Sequence, residues 1–489
     1  MAGHPVDYII IVGYLIFIAA FGIISGGKQK SVDDYFLGSK SVPWWAVCFS
    51  IVAAETSTLT FISIPGLAYS ANLNFLQVTI GYLLGRIVVA FIFLPAYQKG
   101  ELKTAYSYLE NRFGAKTRSF ASIIFLFTRT AADGVRLFAT AIPLKLMLNI
   151  SYPLAIIIIA IVTLVYTYTG GVKGVIWVDV VQMFIYLGGA IIAAIFLLNI
   201  IPGGWNGIYS IAETEHKFSI INLGMDKGIS DFFSQPYTLI GGLIGGAFLS
   251  MASHGTDQLI VQRLLTTKTL KDSQKAIIGS GVIVIIQFTI FLIVGVMLYA
   301  YYGKINAKPD EIFPKFIIEV LPPGVTGIII AGLFAAAMST LAGSMSSLSS
   351  STMIDLFIPL KNKISSNLNA QRSIVNKNEL KISRMITILW AALLVLAALF
   401  FMNTSQAVVE LALSIASFTY GGLLGTFLLG ILLKKTKQKE ALAGFTIGIV
   451  TMIIVISLKI IAWTWYTLVG VSATIIAGFL IGVFLEKKN

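Results

Sequence analysis

The chain has 489 residues, 57% of them hydrophobic and only 12% charged, with mean hydropathy +0.87. A soluble domain carries about 25% charged residues, and no polar stretch here is long enough for one of ~100 residues, which excludes a fused kinase, nuclease or binding module. The net charge of +13 would suggest nucleic acid in a soluble protein, yet Lys and Arg fall almost wholly on alternate connections between apolar stretches, so the charge is topological and no nucleic-acid partner is expected.

In chain order, hydropathy predicts thirteen spans: 8–25, 43–70, 74–98, 118–148, 152–169, 175–201, 234–262, 274–302, 324–357, 380–401, 406–433, 440–459 and 462–486. Each is long enough to cross a hydrocarbon core about 30 Å thick. The first lacks a basic leader and a small-residue cleavage site, so it reads as a retained helix. The single cysteine, Cys48, lies in an apolar run, so no intramolecular disulfide is possible. The basic connections are 26–42, 99–117, 170–174, 263–273, 358–379 and 434–439, with the Lys487-Lys488 tail. These belong on the cytoplasmic side, which puts the N-terminus outside and the C-terminus inside.

Two segments interrupt the pattern. Residues 53–66, AAETSTLTFISIPG, place Glu55, Thr56, Ser57, Thr58 and Thr60 in mid-span. Residues 235–246, QPYTLIGGLIGG, place Pro236 and two glycine pairs in another span. Unwound backbone at membrane depth survives only where protein or a water-filled cavity satisfies it. Transporters built on inverted repeats break corresponding helices of each half there, forming the solute and ion site. Counted from the second span, these segments are helices one and six of a five-plus-five repeat with opposite orientations. Glycine and proline also serve close helix packing in membranes, and that alternative stands for 235–246.

Ionisable groups at the bilayer centre cost at least about 2.5–3.5 kcal/mol, so each is a functional candidate. Glu55 lies in the first interruption, and Arg86 and Asp179 are also intramembrane. Arg129, Asp133 and Arg136 occupy neighbouring turns of one helix. Asp133 can pair with either arginine, leaving the other for Glu55 or for an anionic solute group; a closed ion-pair network is the plainer reading. In 324–357, Ser339 and Thr340 stand adjacent. Hydroxyls and unwound carbonyls are the hard oxygen donors a cation such as sodium prefers. Small residues there also suit tight packing, the favoured reading for Ser346–Ser351.

The runs DDYFLGSK (33–40), ETSTLTFISIPG (55–66), AYSYLENRFGAKTR (105–118), YTYTGGVKGVIWVDVVQ (166–182), TDQLIVQR (256–263) and FAAAMST (334–340) together resemble the sodium–solute symporter family, nearest its bacterial sialic-acid and monocarboxylate branch. The resemblance implies an all-α LeuT-type fold: one extra helix (8–25), a first repeat (43–201), a second repeat (234–433) and two further helices (440–486). It implies a sodium site with backbone carbonyls from Ala53, Thr56 and Ala336 and hydroxyls from Ser339 and Thr340, and Asp179 close by. Relatives with a second sodium site carry further serines after that pair; here Ala342 and Gly343 follow, which implies one sodium per cycle. Solute contacts are expected from Glu55, Ser57, Thr60, Gln77, Tyr82 and Arg136, with Ser250 and Ser253 as weaker candidates and His254 read as a neutral packing residue. A carboxylate at Glu55 suits a solute amine or sugar hydroxyls, or an internal partner for Arg136.

The expected activity is sodium-driven import of a small polar solute (sugar acid, monocarboxylate, sugar or amino acid) by alternating access in the cell membrane, the chain acting as a monomer. A proton-coupled carrier of the same fold and a non-transporting solute sensor are the alternatives. Histidines His4, His216 and His254 are scattered, and no nucleophile–base spacing appears, so an enzyme is not expected.

Overall fold

The computed structural model describes residues 4–486 apart from 101, 226–227, 367–374 and 404–407. The described residues are helical with connecting turns, and no strand occurs among them. Eight of the helices are by themselves long and apolar enough to cross a membrane. The tail lysines and part of the predicted 358–379 connection lie outside the described residues.

The first helix, Pro5–Gly26, starts on a proline, whose missing N–H costs nothing at that position. Its Asp7 is buried and accepts from the Gly324 and Gly327 amides at 2.7 and 2.8 Å. A carboxylate thus sits on the positive end of helix Val325–Ser351. At the other end Gly26 crosses Gly170, where a Cβ on Gly26 would lie 2.2 Å from the Gly170 Cα. Small residues permit that backbone contact.

Short helix Val32–Leu37 and its continuation to Lys40 then bend by 114° into Trp44–Glu55. The second predicted span is broken, but only at two residues. Helix Trp44–Glu55 ends at Thr56 (ψ 102°), and Ser57 is the extended N-cap of Thr58–Ser70, its hydroxyl accepting from the Thr60 amide at 3.4 Å. Serine favours that position because its side chain replaces a missing helical acceptor. The remainder of 53–66 is helical, with Pro65 inside the second half.

Helix Tyr152–Ile200 covers two predicted spans. Its 49 residues would reach roughly 74 Å if straight, more than twice a hydrocarbon core. Gly171, at φ 56° and ψ −163°, breaks it in the predicted 170–174 connection. That backbone conformation is open to glycine, and a Cβ there would also meet the Tyr35 carbonyl at 2.7 Å.

The expectation that 235–246 unwinds holds for 235–238, around Pro236, and is corrected for the glycine pairs. Residues 239–255 are continuously helical, with a π-turn at Gly241–Gly245, and the interruption falls at Thr256–Asp257 before helix Gln258–Leu264. The glycine pairs make close contacts: Cβ atoms on Gly242, Gly245 and Gly246 would meet Gln77, Thr464 and Val78 backbone at 2.2–3.0 Å. The break itself is set by Asp257, an N-cap whose carboxylate accepts from the Leu259 amide at 2.9 Å.

Helix Val325–Ser351 is the centre of the molecule, buried at every residue from Ile329 to Ser351. Its Ala, Gly and Ser content lets neighbouring helices approach closely. Leu270–Tyr302 packs against Thr58–Ser70, where a Cβ on Gly295 would lie 2.1 Å from the Pro65 carbonyl.

Candidate functional site: polar clusters around the two breaks

At the first break, Thr56 directs its hydroxyl back to the Val52 carbonyl (2.8 Å) and accepts from Gln287 Nε2 (2.7 Å). With the hydroxyl engaged as both donor and acceptor, the carbonyl is the Thr56 oxygen expected to face an ion. Thr58 Oγ1 donates to Leu333 O at 3.2 Å, fastening the break to the central helix one turn before Ala336–Thr340. Thr340 Oγ1 lies 3.2 Å from Ala336 O. Ala53, Thr56, Ala336 and Ser339 are fully buried, and Thr340 nearly so. The oxygens assigned to sodium thus lie on two chain segments that Thr58 clamps together.

Ser339 Oγ donates to Asp179 Oδ1 at 2.6 Å. A hydroxyl whose hydrogen is committed in that direction turns its lone pairs elsewhere, as a cation ligand must. The other carboxylate oxygen accepts from Ser50 (2.5 Å) and from Arg263 Nη2 (3.0 Å). Arg263 also donates to Ser50 Oγ and Leu259 O at 2.8 and 2.7 Å. A Cβ on Gly343 would lie 2.7 Å from Arg263 Nη2 and 3.0 Å from Nη1, so glycine leaves room for the guanidinium. Sequence reasoning missed Ser50 and Arg263, having ended the span at 262. Arg263 closes the TDQLIVQR run, which was the available signal.

Glu55 pairs with Arg86, not with Arg136 as one expectation had it. Arg86 is fully buried and its Nη1 donates to Ser280 Oγ at 2.8 Å. Nε2 of His254 stands 3.6 Å from Glu55 Oε2, and its Nδ1 lies 2.8 Å from Ser253 Oγ. Arg86 Nε and His254 Nε2, on the two residues that face Glu55, have no hydrogen-bond partner among the described residues, and neither has Ser250 Oγ one turn before His254.

Arg136 bonds Asp133 at 3.0 Å, and Arg129 reaches both Asp133 and Asp257 at 3.3 Å. Ser344 bonds Asp133, and Tyr420 bonds Asp257 Oδ2 at 3.1 Å. Two guanidinium groups meet two carboxylates, so this is the closed network of the plainer reading. A cavity of about 20 Å³, roughly one water in size, is lined by Thr128, Arg129, Asp257 and Tyr420 beside it.

Among the remaining expected solute contacts, Ser57 and Thr60 hydroxyls face each other at 3.5 Å across the first break. Tyr82 is partly buried within electrostatic reach of Glu55. Gln77 does not face the break. Its amide donates to Asn74 and Tyr237 carbonyls and accepts from the Asn222 amide at 3.1–3.3 Å, pinning a connecting loop. Ser253 is spent on its own helix, bonding Leu249 O at 3.0 Å. Phe61, fully buried against Phe291 and Phe313, is packing.

The sodium:solute symporter family model matches residues 35–448. The sodium/sialic acid symporter SiaT of Proteus mirabilis (strain HI4320) is 28% identical over 97% of this chain and 94% of its own. NanT of Aliivibrio fischeri (strain ATCC 700601 / ES114), also a sodium/sialic acid symporter, is 29% identical over 97% and 92%. The mouse (Mus musculus) sodium-coupled monocarboxylate transporter 1 is 28% identical over 90% of this chain and 71% of its own. A solved substrate-bound, outward-open Na+-coupled sialic acid symporter superposes with TM-score 0.87 and 27% identity, covering 98% of both chains. The nucleobase-cation-symport-1 family transporter Mhp1, at 12% identity and TM-score 0.60 over 94% and 96%, shares the fold alone.

Proposed function

The chain belongs to the sodium:solute symporter family, and from that premise we propose that it imports one small polar organic solute with one sodium per cycle. It is a multi-pass membrane protein, and sodium is the coupling ion. The finer reading comprises thirteen spans in a five-plus-five repeat (43–201 and 234–433, with 8–25 before and 440–486 after), the N-terminus outside, the C-terminus cytoplasmic, and a monomeric working unit. The two interruptions at Thr56–Ser57 and Thr256–Asp257 support the repeat, falling in the spans where the repeat requires them.

The observation that carries the coupling site is the Thr58–Leu333 clamp, which ties the segment that follows Ala53 and Thr56 to the helix that bears Ala336, Ser339 and Thr340. Sodium held there ties the first broken helix to the central helix, completing the solute site; the assembly then rocks to release both cargoes inward. One sodium is favoured because Ala342 and Gly343 offer no side-chain oxygen. The guanidinium of Arg263 also already supplies the cation that Asp179 needs. One sodium crossing 100 mV supplies about 2.3 kcal/mol, worth roughly 50-fold accumulation of a neutral solute. Solute uptake into proteoliposomes with and without an inward sodium gradient tests the reading. Sodium-independent uptake would refute it, as would full coupling after Ser339→Ala with Thr340→Ala.

A further inference from the structure

We propose that this chain recognises its solute through hydroxyl groups set against Glu55, and so carries a neutral polyhydroxylated solute while rejecting one that presents a carboxylate there. The proposal rests on the symport reading above and deepens it to a solute class.

The first observation is the state of the intramembrane cations. Arg86 is held by Glu55, Arg129 by Asp133 and Asp257, Arg136 by Asp133, and Arg263 by Asp179. Each guanidinium near the two breaks is thus already neutralised by the protein. A solute carboxylate entering the bundle would have to displace one of these partners, leaving that partner buried and uncompensated.

The second is the asymmetry of Glu55. Oε2 is engaged by Arg86 and faces His254, whereas among the described residues no hydrogen bond reaches Oε1. The side chain is 18% exposed, against 0% for Arg86 and 3% for His254. Glu55 also closes helix Trp44–Glu55, whose C-terminal carbonyls add partial negative charge at the same place. The opposite pole, the start of helix Thr58–Ser70, has its Thr60 amide capped by Ser57. An incoming anion therefore meets the negative end of a helix and a carboxylate oxygen that can only accept, whereas a donor meets a ready acceptor.

The third is the pair of unsatisfied buried nitrogens on the two residues that face Glu55, Arg86 Nε and His254 Nε2. A hydroxyl both donates and accepts, so one group can donate to Glu55 Oε1 while accepting from Arg86. A carboxylate only accepts and leaves Oε1 opposed. An ammonium only donates, and would add a second positive charge to a site whose Glu55–Arg86 pair is already balanced.

The test uses the purified full chain and matched probes that differ in one group: glucose and glucuronate, galactose and galacturonate. Each is titrated by thermal shift in sodium and in potassium chloride. The expected result is sodium-dependent stabilisation by a neutral member, its carboxylate counterpart binding on the order of 100-fold more weakly. Equal or tighter binding of the carboxylate member overturns the proposal while leaving sodium coupling intact. A neutral-member shift that is equal in potassium supports the solute class and contradicts the coupling. No shift from any pair, or a shift only from glucosamine as an added ammonium probe, also overturns it. Glu55→Gln frees Arg86 and should move the neutral-to-carboxylate preference at least tenfold toward the carboxylate. Should that variant fail to yield folded protein, the comparison on the unmodified chain decides.

Discussion

Gly343→Ala places a methyl group where the structure has none to spare. The new Cβ would lie 2.7, 3.0 and 3.3 Å from Arg263 Nη2, Nη1 and Cζ, the first closer than real Cβ contacts allow. Small rotations of the side chain relieve part of this, for an overpacking cost of about 1–3 kcal/mol. Complete loss of the Arg263–Asp179 pair would raise it to about 3–5 kcal/mol, because Asp179 is fully buried and would keep only its serine donors. Displacement also exposes the Asp179 charge to the sodium cage through Ser339, so the sodium half-saturation should fall at least threefold. The assay is a sodium titration of thermal stability for the purified variant, with melting temperature at zero sodium reporting the packing cost. An unchanged melting temperature together with an unchanged sodium curve would refute the account of Gly343 and Arg263.

Thr58→Val keeps shape and removes the clamp to Leu333; it should cost about 1 kcal/mol of stability and weaken sodium binding more than solute binding, read by separate titrations. Asp257→Asn takes a charge from Arg129, and the buried guanidinium left with Asp133 alone should lower the melting temperature and speed amide exchange in Gln258–Leu264. Gly26→Leu drives a side chain into the Gly170 backbone, and the expected result is loss of folded protein on size-exclusion chromatography; normal yield would contradict the crossing.

That the chain is a multi-pass helical membrane protein was legible because apolar length is a local property. The first break was legible too, since Glu55 and its hydroxyl neighbours stand out in an apolar run, although only Thr56 and Ser57 leave the helix. The second break was misplaced on the glycine pairs of 235–246. Glycine pairs signal close approach as readily as unwinding, and here they lie against Gln77, Val78 and Thr464. The better signal was Asp257, a side chain fit to cap the helix that follows. Pairing was not legible. Arg86, Arg129 and Arg136 were all chemically fit to meet Glu55, and only packing selects Arg86 across 31 positions. Gln77 looked like a solute ligand because it is polar in a span, but its amide holds a loop.

The central claim is a sodium cage between the first break and the central helix, and it can be tested without knowing the solute. Thermal stability of the unmodified chain and of the Ser339→Ala, Thr340→Ala double variant would be titrated with sodium against potassium at constant ionic strength. The account predicts saturable stabilisation by sodium alone, with a Hill coefficient of one, abolished in the double variant. Equal stabilisation by potassium, or a sodium curve that survives the loss of both hydroxyls, would contradict it.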